Sequence, residues 1–297
     1  MQKLPVGRII RLAYAFTFGQ IGTIIGLVWI PAVITAVMSF FAQGGVFTAI
    51  LAGGQTGVAA NGGPQVAFYL LSQLVSMLLF AVMAVAVAKQ VFGMREGSPL
   101  VHFALGGQEL RVFGGIAGLI VLTVMLLMAA LAITGSVETV LERLIAPVAA
   151  ALATGALIIA GFLAVLYFAI RLSFFFIPAA VIEGEFGISK SWQLSKGHFW
   201  QILVIGIAVL LPLLFTISVI ETLIMGKPYL DLTAKMTNDL ANVAKYQPDL
   251  MRIQQARLPF TVGLHLIITP IVVGLLVSPA AFAYRALTGK PQALPDA

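Results

Sequence analysis

The 297-residue chain contains no cysteine and very few charged residues. The absence of cysteine excludes disulfides, thiolate catalysis and Cys-ligated metals. Asp, Glu, Lys and Arg make up only 9% of the residues, whereas soluble domains contain about 25%. So few polar groups cannot cover the surface of a soluble protein of this size. The composition therefore argues against a soluble enzyme, a disordered chain and a nucleic-acid-binding protein.

Apolar residues are abundant instead: they make up 60% of the chain, and its mean hydropathy is +1.05. A helix needs about 20 apolar residues to cross a bilayer. Six runs meet this requirement, near residues 20–42, 66–88, 113–134, 148–170, 199–224 and 259–284. The sequence predicts an all-α membrane protein with six transmembrane helices arranged as three hairpins.

The positions of Lys and Arg predict the orientation of these spans. The net charge is +6, and the basic residues lie at the ends of the apolar runs rather than in one patch. Most of these basic residues lie before the first run, between the second and third, between the fourth and fifth, or after the sixth. Cytoplasmic loops carry an excess of Lys and Arg. We therefore expect both termini in the cytoplasm.

Two connections on the opposite side differ in character. Residues 43–65 are uncharged and rich in glycine, which predicts a flexible connection. Residues 229–247 show helical spacing of Met236, Leu240 and Val243, and Pro248 is expected to end that helix. The 225–258 segment is the expected outer surface for a partner.

The segments before the first, third and fifth spans resemble one another. Each segment begins with an aromatic residue, continues with a few small or polar residues and ends with an apolar residue. The aromatic residues are Tyr14, Phe103 and Trp192, and each is 89 residues from the next. Gly22, Gly114 and Gly206 give a second register of 92. The pattern predicts a pseudo-threefold repeat, with units 1–93, 94–182 and 183–297, each an interfacial amphipathic helix followed by a hairpin.

These segments have two interpretations. They are elbows that turn the chain into the next span, or they form a collar that docks anionic lipid headgroups or a protein. The docking residues are Tyr14, Phe103 and Trp192, with Lys190 and Lys196 as cations. The expected partners are membrane lipids at the cytoplasmic face, and another membrane protein or a second copy of the chain.

A longer motif carries a family resemblance. Arg171 begins the stretch RLSFFFIPAAVIE, which ends at Glu183, and SWQLSKGHFW follows from Ser191 to Trp200. These residues resemble the YciC-like bacterial membrane proteins and the related glycerophosphodiester phosphodiesterase membrane domain. The resemblance implies six spans, a place in the inner membrane of a bacterium and no assigned role. Some of these proteins carry a fused phosphodiesterase barrel; because few residues follow the sixth run, we expect no such activity here.

Ionisable residues inside apolar runs are costly and are therefore functional candidates. Glu221 and His265 lie near the outer ends of the fifth and sixth runs. They either meet as a ligand- or proton-binding pair or extend separately to the headgroups. Arg171 needs a carboxylate if it is buried, and Glu183 is the expected partner in a structural clamp, with Glu185 as the next nearest.

No metalloprotease, nucleophile-elbow or phosphate-loop motif is present in the sequence. We therefore expect no enzyme activity, no cofactor and no metal. Pro31, Pro212, Pro270 and Pro279 interrupt the first, fifth and sixth runs. The first functional hypothesis is a membrane scaffold or accessory subunit, which acts through the cytoplasmic helices and the 225–258 loop. The alternative is a small transporter or lipid-handling protein with a site between the kinked spans one, five and six.

Overall fold

A computed structural model describes residues 4–61, 63–94, 105–144 and 146–289. Apart from short turns, this part of the chain is helical and contains no strand. The helices are α1 (Val6–Gly19), α2 (Ile21–Asn61), α3 (Gly63–Phe92), α4 (Gly107–Leu144), α5 (Pro147–Ser173), α6 (Phe176–Glu183), α7 (Ile188–Leu194), α8 (Phe199–Met225), α9 (Lys227–Asn238) and α10 (Val243–Thr288).

Six segments are long and apolar enough to cross a bilayer. They are Ile21–Thr48, Gly63–Phe92, Gly107–Leu141, Val148–Glu183, Phe199–Met225 and Leu240–Thr288. Each overlaps one of the predicted apolar runs, so the prediction of an all-α protein with six such helices is confirmed. The architecture fits a polytopic membrane protein.

The six long helices pack as three pairs: α2 with α3, α4 with α5, and α8 with α10. Helix α10 is central, because it also packs against α1, α2, α3 and α6. The α4–α5 pair is peripheral. In the most apolar part of α4 no residue is buried, whereas in the most apolar part of α3 half of the residues are buried. This unequal packing leaves space between the α4–α5 pair and the rest of the bundle.

Buried side chains concentrate at one end of the bundle, formed by α1, α6, α7 and the end of α10; we name it the inner end. One core cluster joins Ile24 of α2, Val85 of α3 and Phe176 of α6. A second joins Ile9 of α1 to Tyr284 of α10. The opposite, outer end carries α9, in which no residue is buried. The fold is therefore held mainly at its inner end.

A close contact fixes α1 against this core. Thr17 is fully buried and packs on Gly274 of α10. A Cβ atom at Gly274 would lie 2.7 Å from the Thr17 methyl group, so a larger residue would separate the two helices. Helix α1 buries Ile9, Ala13 and Thr17 on one face and exposes Arg8 and Arg11.

The prediction of a flexible connection at 43–65 is wrong, because α2 continues to Asn61. Glycine lowers helix stability by only about 1 kcal/mol per residue, and tertiary contacts compensate. Gly44 approaches Leu258 of α10, and Gly45 approaches Gln65 of α3. The long helix is therefore supported by its neighbours rather than by its own composition.

The predicted end of a helix at Pro248 is also wrong. The break comes earlier, at Asp239, and α10 begins at Val243 and passes through Pro248. Asn242 Nδ2 and the Tyr246 hydroxyl both donate to the Asp239 carboxylate, at 3.0 and 3.1 Å. This local network stabilises the turn between α9 and α10.

Separate short helices precede two of the three spans for which the sequence predicts them. Helix α1 lies before the first span, and α6 and α7 lie before the fifth. Phe103 lies outside the described residues, and α4 begins directly at Gly107. The threefold repeat and the interfacial position of these helices stay predictions.

Six spans place both termini on one side, and cysteine labelling can identify that side because the chain has no cysteine of its own. Ser189→Cys lies on exposed α7 and Thr237→Cys on exposed α9. In intact cells, a membrane-impermeant maleimide should label Thr237→Cys, and it should label Ser189→Cys only after permeabilisation. The reverse pattern would invert the orientation, and labelling of both from outside would contradict six spans.

Candidate functional site

Glu221 and His265 meet across α8 and α10 near the outer end. His265 Nε2 lies 2.7 Å from Glu221 Oε1, which is the distance of a charge-assisted hydrogen bond. The His265 side chain is 58% exposed and that of Glu221 is 37% exposed. The pair predicted from the sequence is formed, but it lies on the flank of the bundle rather than in an enclosed pocket.

A polar crevice adjoins His265 on the side of α2. It has a volume of about 120 Å³, and its walls include the apolar Ala32, Ala36, Val262 and Leu266. Its polar lining residues come from two antiparallel helices: Thr35, Ser39 and Gln43 from α2, and Thr261, His265 and Thr269 from α10. On each helix these residues are four apart, so they form one stripe per helix. Apart from His265, the sequence analysis missed these residues as a site, although the i, i+4, i+8 spacing in two apolar runs is a detectable signal.

Arg171, at the end of α5, is buried and has three hydrogen-bond acceptors. Its guanidinium donates to the Tyr167 hydroxyl at 2.7 Å, to the Trp192 carbonyl at 2.9 Å and to the Ser195 hydroxyl at 3.1 Å. It also lies 3.6 Å from the centre of the Trp192 ring, a cation–π contact. Arg171 therefore joins α5 to α7, as the prediction of a structural clamp requires.

The prediction that Glu183 is the partner of Arg171 in this clamp is wrong. Glu183 accepts a hydrogen bond from the Tyr284 hydroxyl at 2.8 Å and forms an ion pair with Lys190 at 3.1 Å. Helix α6 points Glu183 toward α10, whereas α7 folds back over the end of α5 and brings neutral acceptors to Arg171. Sequence proximity alone could not distinguish these two directions.

Ser191 supplies hydrogen-bond partners to backbone groups at the break between α5 and α6. Its hydroxyl accepts from the Phe175 N–H at 3.1 Å and donates to the Arg171 carbonyl at 2.9 Å. In an unbroken helix these two backbone groups would bond to each other. The fully buried Ser191 hydroxyl is thus inserted into the interrupted helical hydrogen bond.

Tyr14 performs a similar role at the kink of α8. Pro212 has no N–H, so the Ala208 carbonyl loses its helical partner. The Tyr14 hydroxyl donates to this carbonyl at 3.2 Å. Tyr14 was predicted to dock at the interface; the structure places its hydroxyl against the backbone of a membrane-spanning helix.

The other predicted docking residues occupy different environments. Trp192 is half-buried and stacks on Phe168, with 5.8 Å between ring centres. Lys190 is engaged with Glu183, and Lys196 is exposed in the turn before α8. A second polar contact at the inner end joins Lys89 to the buried Glu109 at 3.3 Å. Within the described residues, no three His, Asp or Glu side chains lie close enough together to hold a metal ion.

An apolar groove of about 1050 Å³ lies between the α4–α5 pair and helices α8 and α10. Its walls include Ile116, Ile120, Ile170, Phe174, Phe215 and Leu276. Among its described lining residues, only Thr123, Ser173 and Ser218 have polar side chains, and none is charged. Along α8 it extends from Ile202 to Ser218, which is about 24 Å of helix.

Comparison of the chain with protein-family models, curated proteins and solved structures gives no match. The resemblance to the YciC-like proteins therefore stays a prediction.

Replacing Tyr14 by Phe should leave the Ala208 carbonyl without its hydroxyl donor. An unsatisfied buried carbonyl costs about 1–3 kcal/mol, so the melting temperature in detergent, measured by tryptophan fluorescence, should fall by several degrees. Tyr229→Phe on α9 is the control, because no hydrogen bond of that hydroxyl to the described residues is present. Equal melting temperatures of the two variants would contradict the role assigned to Tyr14.

Ser191→Ala should destabilise the protein more than the exposed control Ser189→Ala on the same helix. The change leaves the Phe175 N–H without its acceptor, at a cost of about 1–3 kcal/mol, and leaves the Arg171 carbonyl with only the longer hydrogen bond, 3.3 Å, from the Ser195 hydroxyl. Fluorescence of Trp192, which contacts Arg171, should report the loosened junction. If Ser191→Ala melts like Ser189→Ala, the hydroxyl does not support the α5–α6 break.

Proposed function

We propose that this protein is a non-enzymatic membrane protein that binds a membrane lipid, with the acyl chains held in the apolar groove. The observation that carries the proposal is the size and composition of that groove. Its volume of about 1050 Å³ is at the upper end of the range of ligand pockets, roughly 300–1,000 Å³. The lack of charged lining residues suits a hydrocarbon ligand.

The position of the groove supports the same occupant. It lies between segments long and apolar enough to span a bilayer, where lipid rather than water is the solvent. Each methylene group transferred from water to an apolar site contributes about 0.8 kcal/mol to binding. A lipid that is already in the bilayer does not gain this free energy, because its chains leave hydrocarbon and not water. Selective retention must therefore come from the shape of the groove and from contacts to the headgroup.

The inner end offers such headgroup contacts. The groove begins at Ile202, in the first turn of α8. Lys196 is exposed in the turn just before this helix, and Trp200 is 73% exposed in its first turn. Tryptophan and lysine are typical of the headgroup level, and a lysine near the surface attracts anionic lipid by about 1 kcal/mol. We infer that the bound lipid is anionic.

The proposal places the protein in a bacterial inner membrane with its inner end in the cytoplasm. The charge pattern supports this orientation, since Arg8, Arg11, Lys89, Lys196 and Arg285 lie at the inner end. The resemblance to YciC-like proteins supports the compartment.

A scaffold or accessory subunit is the second candidate. It is supported by α9, which has no buried residue, and by two exposed leucines, Leu230 and Leu240, at 50% and 77%. A partner protein or a second copy of the chain can cover these side chains. The groove favours lipid binding over this alternative, because a scaffold does not require an open interior.

Gly206→Phe tests the lipid proposal. Gly206 lines the groove, and a Cβ atom added there meets no atom within 4 Å, so a phenylalanine side chain can start into the groove and occupy part of it. We expect the variant, purified in mild detergent, to retain about tenfold less phospholipid by native mass spectrometry, a loss of about 1.4 kcal/mol.

Gly155→Phe on α5 is the matched control, because it also has open space around it and does not line the groove. It should retain lipid as the unaltered protein does. Equal retention by both variants, or no phospholipid on the unaltered protein, would refute the proposal.

A further inference from the structure

The crevice between α2 and α10 carries a second inference, independent of the groove. We propose that it is a hydration site: a chain of bound water enters from the outer end and reaches His265 within the apolar belt. The basis is the pair of facing polar stripes, three residues on each helix.

The polar groups of the crevice are not used to bind the two helices to each other. Thr269 donates to the His265 carbonyl of its own helix at 2.6 Å, and Thr261 donates to the Leu258 carbonyl at 3.0 Å. The Thr35 hydroxyl is buried and has no hydrogen-bond partner among the described residues. Polar side chains between membrane helices usually bond across the interface; here they face a space instead.

That space has the size and chemistry for water. A water molecule occupies about 30 Å³ and makes 2–4 hydrogen bonds in a polar cavity. The crevice volume of about 120 Å³ therefore holds a short chain of about four molecules. Buried polar groups without protein partners are commonly satisfied in this way, and the Thr35 hydroxyl gains its missing partner.

The polar stripes also provide a route from outside. From Thr35 to Gln43 the α2 stripe rises by about 12 Å. Five residues beyond Gln43, and off the line of the stripe, the exposed Thr48 hydroxyl accepts from Gln255 Nε2 at 3.2 Å, so polar groups are also present further toward the outer end. His265 uses Nε2 for Glu221, so crevice water is available to its second ring nitrogen. The pair is thus solvated from the α2 side, which lowers the cost of placing it in an apolar run.

Single cysteines in this cysteine-free chain test the hydration directly. Only a thiolate reacts quickly with a charged methanethiosulfonate, and thiolates form where water is present. Ser39→Cys places the thiol in the crevice, whereas Val37→Cys and Phe41→Cys place it two residues away on faces that are 49% and 63% exposed outside the crevice. We expect Ser39→Cys to react at least about tenfold faster than either control.

The second helix gives an independent pair. Thr269→Cys lies in the crevice and Ile267→Cys, at a 74% exposed position, lies outside it. Thr269→Cys should again react faster, with the reagent added from the outer side to protein in membranes. Equal rates within either pair would overturn the proposal, since a shared water chain must reach both helices. Fast reaction of every variant would also overturn the proposal, because the outer surfaces of both helices at this depth would then be in water and not only the crevice.

Discussion

In the hydrocarbon of a bilayer, a backbone N–H or carbonyl that leaves the helical pattern has no water to replace its partner. The junction of α5 and α6 meets this constraint with serine hydroxyls, of which that of Ser191 makes the shorter hydrogen bond to the Arg171 carbonyl. Ser191 bridges the Phe175 N–H and the Arg171 carbonyl, so the chain turns without an orphaned group. The rest of the inner end depends on this bridge, since it sets the positions of α6, whose Phe176 enters one core, and of α7, which receives the Arg171 guanidinium.

The same constraint explains why α1 is part of the bundle rather than a detached tail. Pro212 is required for the kink in α8 but leaves the Ala208 carbonyl free. Tyr14 supplies the donor, and the contact of Thr17 with Gly274 holds α1 against α10. Helices α1 and α7 therefore serve as sources of hydrogen-bond partners for interrupted spans, in addition to any role at the membrane surface.

The sequence was sufficient for the features that depend on local composition. Six apolar runs identified the six long helices, and the positions of Glu221 and His265 allowed a pair as one of two alternatives, which the structure distinguishes by their contact. The direction in which a side chain points could not be predicted in this way. Glu183 and Ser195 are both close to Arg171 in sequence, and only the fold of α6 and α7 decides which of them accepts from its guanidinium. The Gly-rich segment of α2 was misjudged for a related reason, because at Gly44 and Gly45 it lies close to α10 and α3, which the sequence did not show. The facing stripes of α2 and α10 had a visible period, but their significance required knowing that the two helices are neighbours.

Packing is unequal along the bundle, and this inequality connects structure to function. The two core clusters and the repaired breaks make the inner end rigid, while the peripheral α4–α5 pair has few buried residues. Regions with few buried contacts open at the lowest free energy. Movement of α4 and α5 would therefore widen or narrow the apolar groove while α1, α2, α3 and α10 stay in place. A lipid in the groove would bind best to the conformation that fits it and would shift the population toward that conformation. The polar crevice lies on the opposite, tightly paired side of α10, so hydration of His265 and occupancy of the groove can vary independently unless α10 itself moves.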